Sequence, residues 1–163
     1  MSRNSRIWIR WLLIAWASPN SIIGLILGVL ALLSGGGVQI RRGCVEFHGG
    51  LVERALSLLL GGDGVSAMTL GHTILGQTPK MLFDSRDHEH VHVHQYERWG
   101  PFFLPAYFGS SLFLWLRGRD CYLENPFEVE AYAIAPLDTS TLETGDYTDT
   151  EARDQVPEIG QKK

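Results

Sequence analysis

The sequence predicts an α+β fold, mostly helical, with a small β-sheet or hairpin. Two observations carry the helical part. Leu51–Leu60 reads as a short amphipathic helix closed by glycines, and the charged run from Asp84 to Trp99 lies between helix-start and helix-stop residues. A third observation carries the β part: Val45 and Phe47 alternate with Glu46 and His48, so Val38–His48 reads as two short strands around Arg41-Arg42-Gly43. With 163 residues, 45% hydrophobic and 20% charged, the chain is large enough for one domain with a real core.

The net charge of −4 hides an asymmetry. Residues 1–42 carry five arginines and no acid, whereas residues 138–163 carry seven acids and three bases. No Lys/Arg-rich patch interleaved with aromatic residues occurs, so nucleic acid is not expected as a partner. The two cysteines, Cys44 and Cys121, are far apart and neither belongs to a CxxC pair. Free, buried thiols in a reducing compartment are expected, and a thiolate metal site is not.

From Trp11 to Ile40 there is no charged residue, longer than the roughly 20 residues that cross a bilayer. Ser18-Pro19-Asn20-Ser21 is expected to break the stretch, because Pro19 disfavours helix at Ser18 and Asn20 or Ser21 can cap a new helix. Two arrangements follow, a single kinked span or a re-entrant or interfacial hairpin with Trp8, Trp11 and Trp16 at headgroup level. Arginines flank both ends, which favours the hairpin and a body on the cytoplasmic side. A soluble core hairpin of two helices is the alternative. Ala15 and Ala17 have the spacing of a signal-peptide cleavage site, but Arg10 interrupts the apolar core such a signal needs.

Val65–Leu75 is a β-prone run ended by Gly76, and Pro79-Lys80 marks a turn. The next helix is expected to start near Asp84, with Asp84 or Ser85 as N-cap, and to end before Gly100-Pro101. Pro101–Leu116 is a second apolar stretch whose length and Pro105 argue against a clean span. It can line a bilayer surface or pack against the N-terminal segment. From Ile134 the apolar periodicity is lost, and a mobile acidic tail is expected.

The chemistry is concentrated in His88-Glu89-His90-Val91-His92. On a helix, positions i and i+4 share a face, so His88 and His92 can offer two imidazoles to one metal ion. Glu89 then lies beside the ion, where a general base for an attacking water belongs. A strand would instead align histidines 88, 90, 92 and 94 on one face and imitate a cupin metal strand. The flanking boundary residues favour the helix, which leaves His90 and His94 on another face as spectators. A catalytic zinc usually has three protein ligands and an open position. Asn125-Pro126-Phe127-Glu128-Val129-Glu130 supplies a helix start, and either Glu128 or Glu130 in its first turn can reach back to the ion.

These paired motifs resemble the gluzincin branch of zinc metallopeptidases, which join His-Glu-x-x-His on one helix to Glu-x-x-Ala-Asp on a second. The second element here is Glu128-Val129-Glu130-Ala131-Tyr132. The chain is also similar to small bacterial membrane-associated proteins whose motif helix continues into Gln-Tyr-Glu-Arg-Trp-Gly-Pro, here Gln95–Pro101, and later reaches Asn-Pro-Phe-Glu-x-Glu-Ala. The likeness spans roughly residues 68–132. It implies Zn2+ as cofactor, His88, His92 and Glu128 as its ligands and Glu89 as the base. Tyr132 stands where the peptidases have an Asp that supports a ligand histidine, a role Glu130 or Asp87 could take. The strand from Met68 to Leu75 would be the edge that binds an extended peptide, with His72 a candidate to face the cleft.

The chain thus divides into an apolar membrane-associated segment (1–37), a zincin-like metal-binding domain (38–133) and an acidic tail (134–163). Two functions are open. One is a membrane-associated, zinc-dependent peptidase acting on peptide substrates and anchored to membrane lipid. The other is a non-catalytic accessory subunit of a bacterial membrane complex that keeps the fold.

Overall fold

A computed structural model describes residues 3–59 and 67–137. The closing glycines at 61–64 and the acidic tail beyond residue 137 lie outside the described residues. The fold is α+β. Its elements are α1 (Arg3–Leu33), β1 (Gly37–Arg41), β2 (Cys44–His48), α2 (Gly50–Leu59), β3 (Ala67–Leu70), β4 (Thr73–Gly76), α3 (Pro79–Trp99), α4 (Phe103–Leu116) and α5 (Pro126–Ile134). A single 3₁₀ turn, Gly100–Phe102, joins α3 to α4.

The four strands form one mixed sheet in the order β1-β2-β4-β3. β1 and β2 are an antiparallel hairpin, β2 runs parallel to β4 with α2 in the crossover, and β3 pairs antiparallel with β4 as the outer strand. Of the β-prone run Val65–Leu75, the described residues from Ala67 fold into this second hairpin rather than one strand. Gly71 at φ +64 makes the turn, in a backbone region that favours glycine. Alternation divides the sheet into two faces. Phe47, Leu70 and Leu75 meet Ala31 of α1 and Val52 and Leu56 of α2. Cys44, Ala67 and Ile74 meet Leu82 and Val93 of α3. On that same side Glu46, fully buried, receives Arg86 Nε and Nη2 at 3.0 and 3.2 Å and Gln39 Nε2 at 2.8 Å. A buried charge so surrounded ties α3 to the sheet.

The expected break in the N-terminal segment does not occur, and α1 is one helix of 31 residues with Pro19 inside it. Pro19 cannot bond the carbonyl of Ala15, but Ser18 Oγ donates to that oxygen at 2.7 Å. Asn20 caps nothing. It is buried, and its Nδ2 donates to the Gly100 carbonyl at 3.0 Å, locking α1 to the end of α3. The hairpin arrangement is therefore replaced by a single rod, and the same-side argument for its two flanks goes with it.

The inward face of α1 is small, with Ala17, Gly24, Gly28 and Ala31 buried. A Cβ at Gly28 would overlap the Phe47 ring, so only glycine allows the helix this close to the sheet. The outward face is bulky. Trp8, Trp11, Trp16, Ile22, Ile26 and Leu33 are exposed, and only 22% of the most apolar window of the helix is buried. α1 is long and apolar enough to cross a membrane. Because α1 is one continuous helix, the buried hairpin of two helices does not describe it. Of the cysteines, both free, Cys44 is buried and Cys121 exposed.

Candidate metal centre

Helix α3 starts one and a half turns earlier than expected. Thr78 is its N-cap, accepting from Met81 N at 3.2 Å, and Pro79 occupies the first turn. The motif thus lies mid-helix, where backbone hydrogen bonding is regular, rather than in a first turn. His88, Glu89 and His92 are all buried. α5 begins as anticipated. Asn125 Oδ1 accepts from Phe127 N, while Asn125 Nδ2 donates to Tyr107 O and Ser111 Oγ on α4. Asn125 therefore caps α5 and fastens its start to α4, and Phe127 packs among Trp99, Phe103 and Tyr107. The next residue, Glu128, is driven into the interior opposite the motif.

His88, His92 and Glu128 each offer one atom, and these atoms lie within 4.8 Å of one another. His88 Nε2 is 3.3 Å from Glu128 Oε2 and His92 Nε2 is 3.5 Å from Oε1. Tyr107 Oη donates to Oε1 at 2.7 Å. Oε2 is buried and, beyond its 3.3 Å ion-pair approach to His88 Nε2, has no hydrogen-bond donor. A buried carboxylate oxygen without a donor is costly unless a cation faces it.

The far sides of both rings are held. His92 Nδ1 is 2.9 Å from Gln95 Oε1, whose orientation is fixed because Gln95 Nε2 donates to Phe127 O and Glu130 Oε2. His92 Nδ1 is therefore the donor. His88 Nδ1 likewise faces the Ala135 carbonyl at 3.3 Å. Both Nε2 atoms are left to face the centre, the arrangement a metal-ligating histidine needs. Burial alone would lower the pKa of His92, but the Glu128 and Glu89 carboxylates outweigh it and raise it to about 9. Burial would raise Glu128, yet the His88, His92 and Tyr107 contacts bring it down to about 2. Without a cation, a proton on His92 bridges toward Glu128.

Glu89 stands beside the triad rather than in it. Its Oε2 accepts from Thr69 Oγ1 of β3 at 2.6 Å, and Tyr96 Oη donates to the Thr69 carbonyl at 3.1 Å. A cavity of about 180 Å³ opens there, bordered by Glu89, His92, Glu128, strand β3 and α4.

The remaining candidates fall elsewhere. Glu130 bonds Gln95 and Arg98, not the triad. Asp87 pairs with Arg42 at the surface. Tyr132 packs its ring against His88, with centroids 4.7 Å apart. His72 lies in the β3–β4 turn and pairs with Glu97, which also receives exposed His94. His90 is half-buried on another face. Sequence reasoning missed Thr69, Gln95 and Tyr107. Gln95 was accessible to it, three residues after His92 on the same helix. Thr69 and Tyr107 depend on long-range packing and left no local signal.

No family model, curated protein or solved structure matches this chain.

Proposed function

We propose that this protein is a membrane-bound, zinc-dependent hydrolase of peptidase type. His88, His92 and Glu128 would hold the ion and Glu89 would act as the base. The observation that carries this is the buried Glu128 oxygen without a hydrogen-bond donor, facing two imidazoles whose outer nitrogens are already engaged. Two nitrogens and one carboxylate oxygen suit zinc. Bound there, zinc would supply a Lewis acid that polarises a carbonyl. Glu89, aimed by Thr69 at the cavity wall, would take the proton of the attacking water. Tyr107, kept protonated by burial and by Glu128, holds that carboxylate in place. Gln95 and the Ala135 carbonyl would do the supporting work that an Asp does in gluzincins, where this chain has Tyr132.

The membrane part of the proposal rests on α1. The stretch from Ala17 to Ala31 is docked lengthwise on the body, so lipid cannot surround it. The outward tryptophans and isoleucines favour a helix lying half-embedded at the interface over one that crosses freely.

The test is hydrolysis of a quenched-fluorescent peptide library by zinc-loaded protein in lipid nanodiscs. Glu89→Gln should retain one zinc and lose about 10²–10⁴-fold in rate. Zinc retention with undiminished cleavage in Glu89→Gln would remove the base from the mechanism. Zinc retention with no cleavage by the unaltered protein would favour the accessory-subunit role.

A further inference from the structure

We infer that the cavity beside the triad takes an extended, apolar peptide segment arriving from the bilayer side, so the substrate is the membrane-proximal stretch of an integral membrane protein. This rests on the hydrolase reading above and names its substrate class.

The wall chemistry comes first. Away from the triad the cavity is lined by Met68 and Leu70 of β3 and by Phe103, Leu104 and Phe108 of α4. Among the described residues no lysine or arginine lines it. Against these walls, away from the triad, a phosphate or a substrate carboxylate would meet no cationic side chain, so neutral, apolar side chains are what they accept.

The shape of one wall then selects a peptide. β3 is the outer strand of the sheet, and no strand pairs with its other edge among the described residues. An extended chain beside it can use backbone hydrogen bonds, which an acyl chain cannot.

The direction of approach follows from α4. Phe108 lines the cavity and is 63% exposed. The same helix exposes Leu112, Phe113, Trp115 and Leu116 and carries no charge from Phe103 to Leu116. Phe102, just before α4, is exposed and packs against exposed Trp16 on the bulky face of α1. At the far end of α4 the Arg117 guanidinium lies 4.3 Å over the Phe113 ring, a placement that suits a cation at headgroup level. The cavity mouth therefore borders the face that would enter the bilayer.

The experiment uses full-length Glu89→Gln protein in phosphatidylcholine nanodiscs, with zinc measured in the same sample. Three probes compete: an apolar Leu/Phe tetrapeptide hydroxamate, a matched Asp/Lys tetrapeptide hydroxamate, and octanohydroxamate. The apolar peptide should bind at least tenfold tighter than either of the others, and Phe108→Ser should erode that preference. A nitroxide on Leu112→Cys, in a Cys121→Ser background because Cys121 is itself free and exposed, should collide with oxygen in the lipid and be shielded from an aqueous nickel chelate. Equal binding of the two peptides at full zinc occupancy overturns the apolar assignment. Equal binding of octanohydroxamate overturns the peptide in favour of a lipid. A nickel-accessible label overturns the approach from the bilayer. Absence of zinc overturns the hydrolase reading itself and this assignment with it.

Discussion

Two carboxylates are buried against helix α3, Glu46 from the sheet and Glu128 from α5, and their surroundings differ in kind. Glu46 receives three N–H donors from Arg86 and Gln39, and its charge is matched inside the protein. Glu128 has one donor, Tyr107, and a second oxygen with none, set against two histidine nitrogens. One carboxylate is complete and holds the fold together. The other keeps Oε2 without a donor, 3.3 Å from His88 Nε2, and that bonding capacity is what the proposed metal ion would use. Burial is nearly the same in both, so burial alone does not mark a site; what sets Glu128 apart is an oxygen without a donor beside two converging imidazoles.

The comparison breaks most visibly at Arg86. Arg86→Met leaves Glu46 with one neutral donor and should cost about 3–5 kcal/mol in urea unfolding, with or without zinc. Glu128→Gln should do the reverse. Zinc at a hundredfold excess over its dissociation constant should stabilise the unaltered protein by about 2.7 kcal/mol and Glu128→Gln by nothing measurable. Arg86→Met should keep that zinc increment. An increment surviving in Glu128→Gln would merge the two carboxylates into one structural class.

Gln95→Leu removes the acceptor that fixes His92 while leaving the three ligands. Zinc affinity by chelator competition should fall about 10–100-fold. An unchanged affinity would mean that the ring needs no support.

In the metal-free protein the candidate centre should make stability depend on pH. His92 is raised from 6.5 to about 9, so its contribution to stability is complete below pH 6.5 and is lost as pH rises through 9. Glu128 is lowered from 4.5 to about 2, so its contribution is present above pH 4.5 and is lost as pH falls toward 2. Metal-free stability should therefore peak between pH 4.5 and 6.5. Zinc affinity should instead climb from pH 6.5 to 9, as the proton leaves His92. Urea midpoints at pH 5.5 and 9.5, with and without zinc, check both slopes. The smallest effect belongs to Arg42–Asp87, whose side chains are 57% and 74% exposed. Arg42→Ala should shift stability by less than about 1 kcal/mol.

What the sequence disclosed follows the range of the interactions. The strands around Arg41-Arg42-Gly43, the Asn125-Pro126 helix start and the i, i+4 histidine pair are local, and each was legible. The misplaced start of α3 was also local: Thr78-Pro79 is a cap followed by a first-turn proline, outweighed in the reading by the acidic residues at 84 and 87. The continuity of α1 through Pro19 was not legible. It depends on Ser18 reaching back to Ala15 and on Asn20 being used by Gly100, eighty residues away. The helix start alone left Glu128 and Glu130 open, the resemblance implied Glu128, and packing brings Glu128 to the histidines. Phe127, wedged between α3 and α4, sets the rotation of α5 and turns its neighbour inward.

The most direct test of the central claim is zinc-edge X-ray absorption on protein purified with stoichiometric zinc. The account predicts two imidazole nitrogens and at least one oxygen at about 2.0–2.2 Å, with no sulfur, and loss of the bound zinc in Glu128→Gln. No bound zinc, a sulfur ligand at about 2.3 Å, or a spectrum unchanged by Glu128→Gln would contradict it.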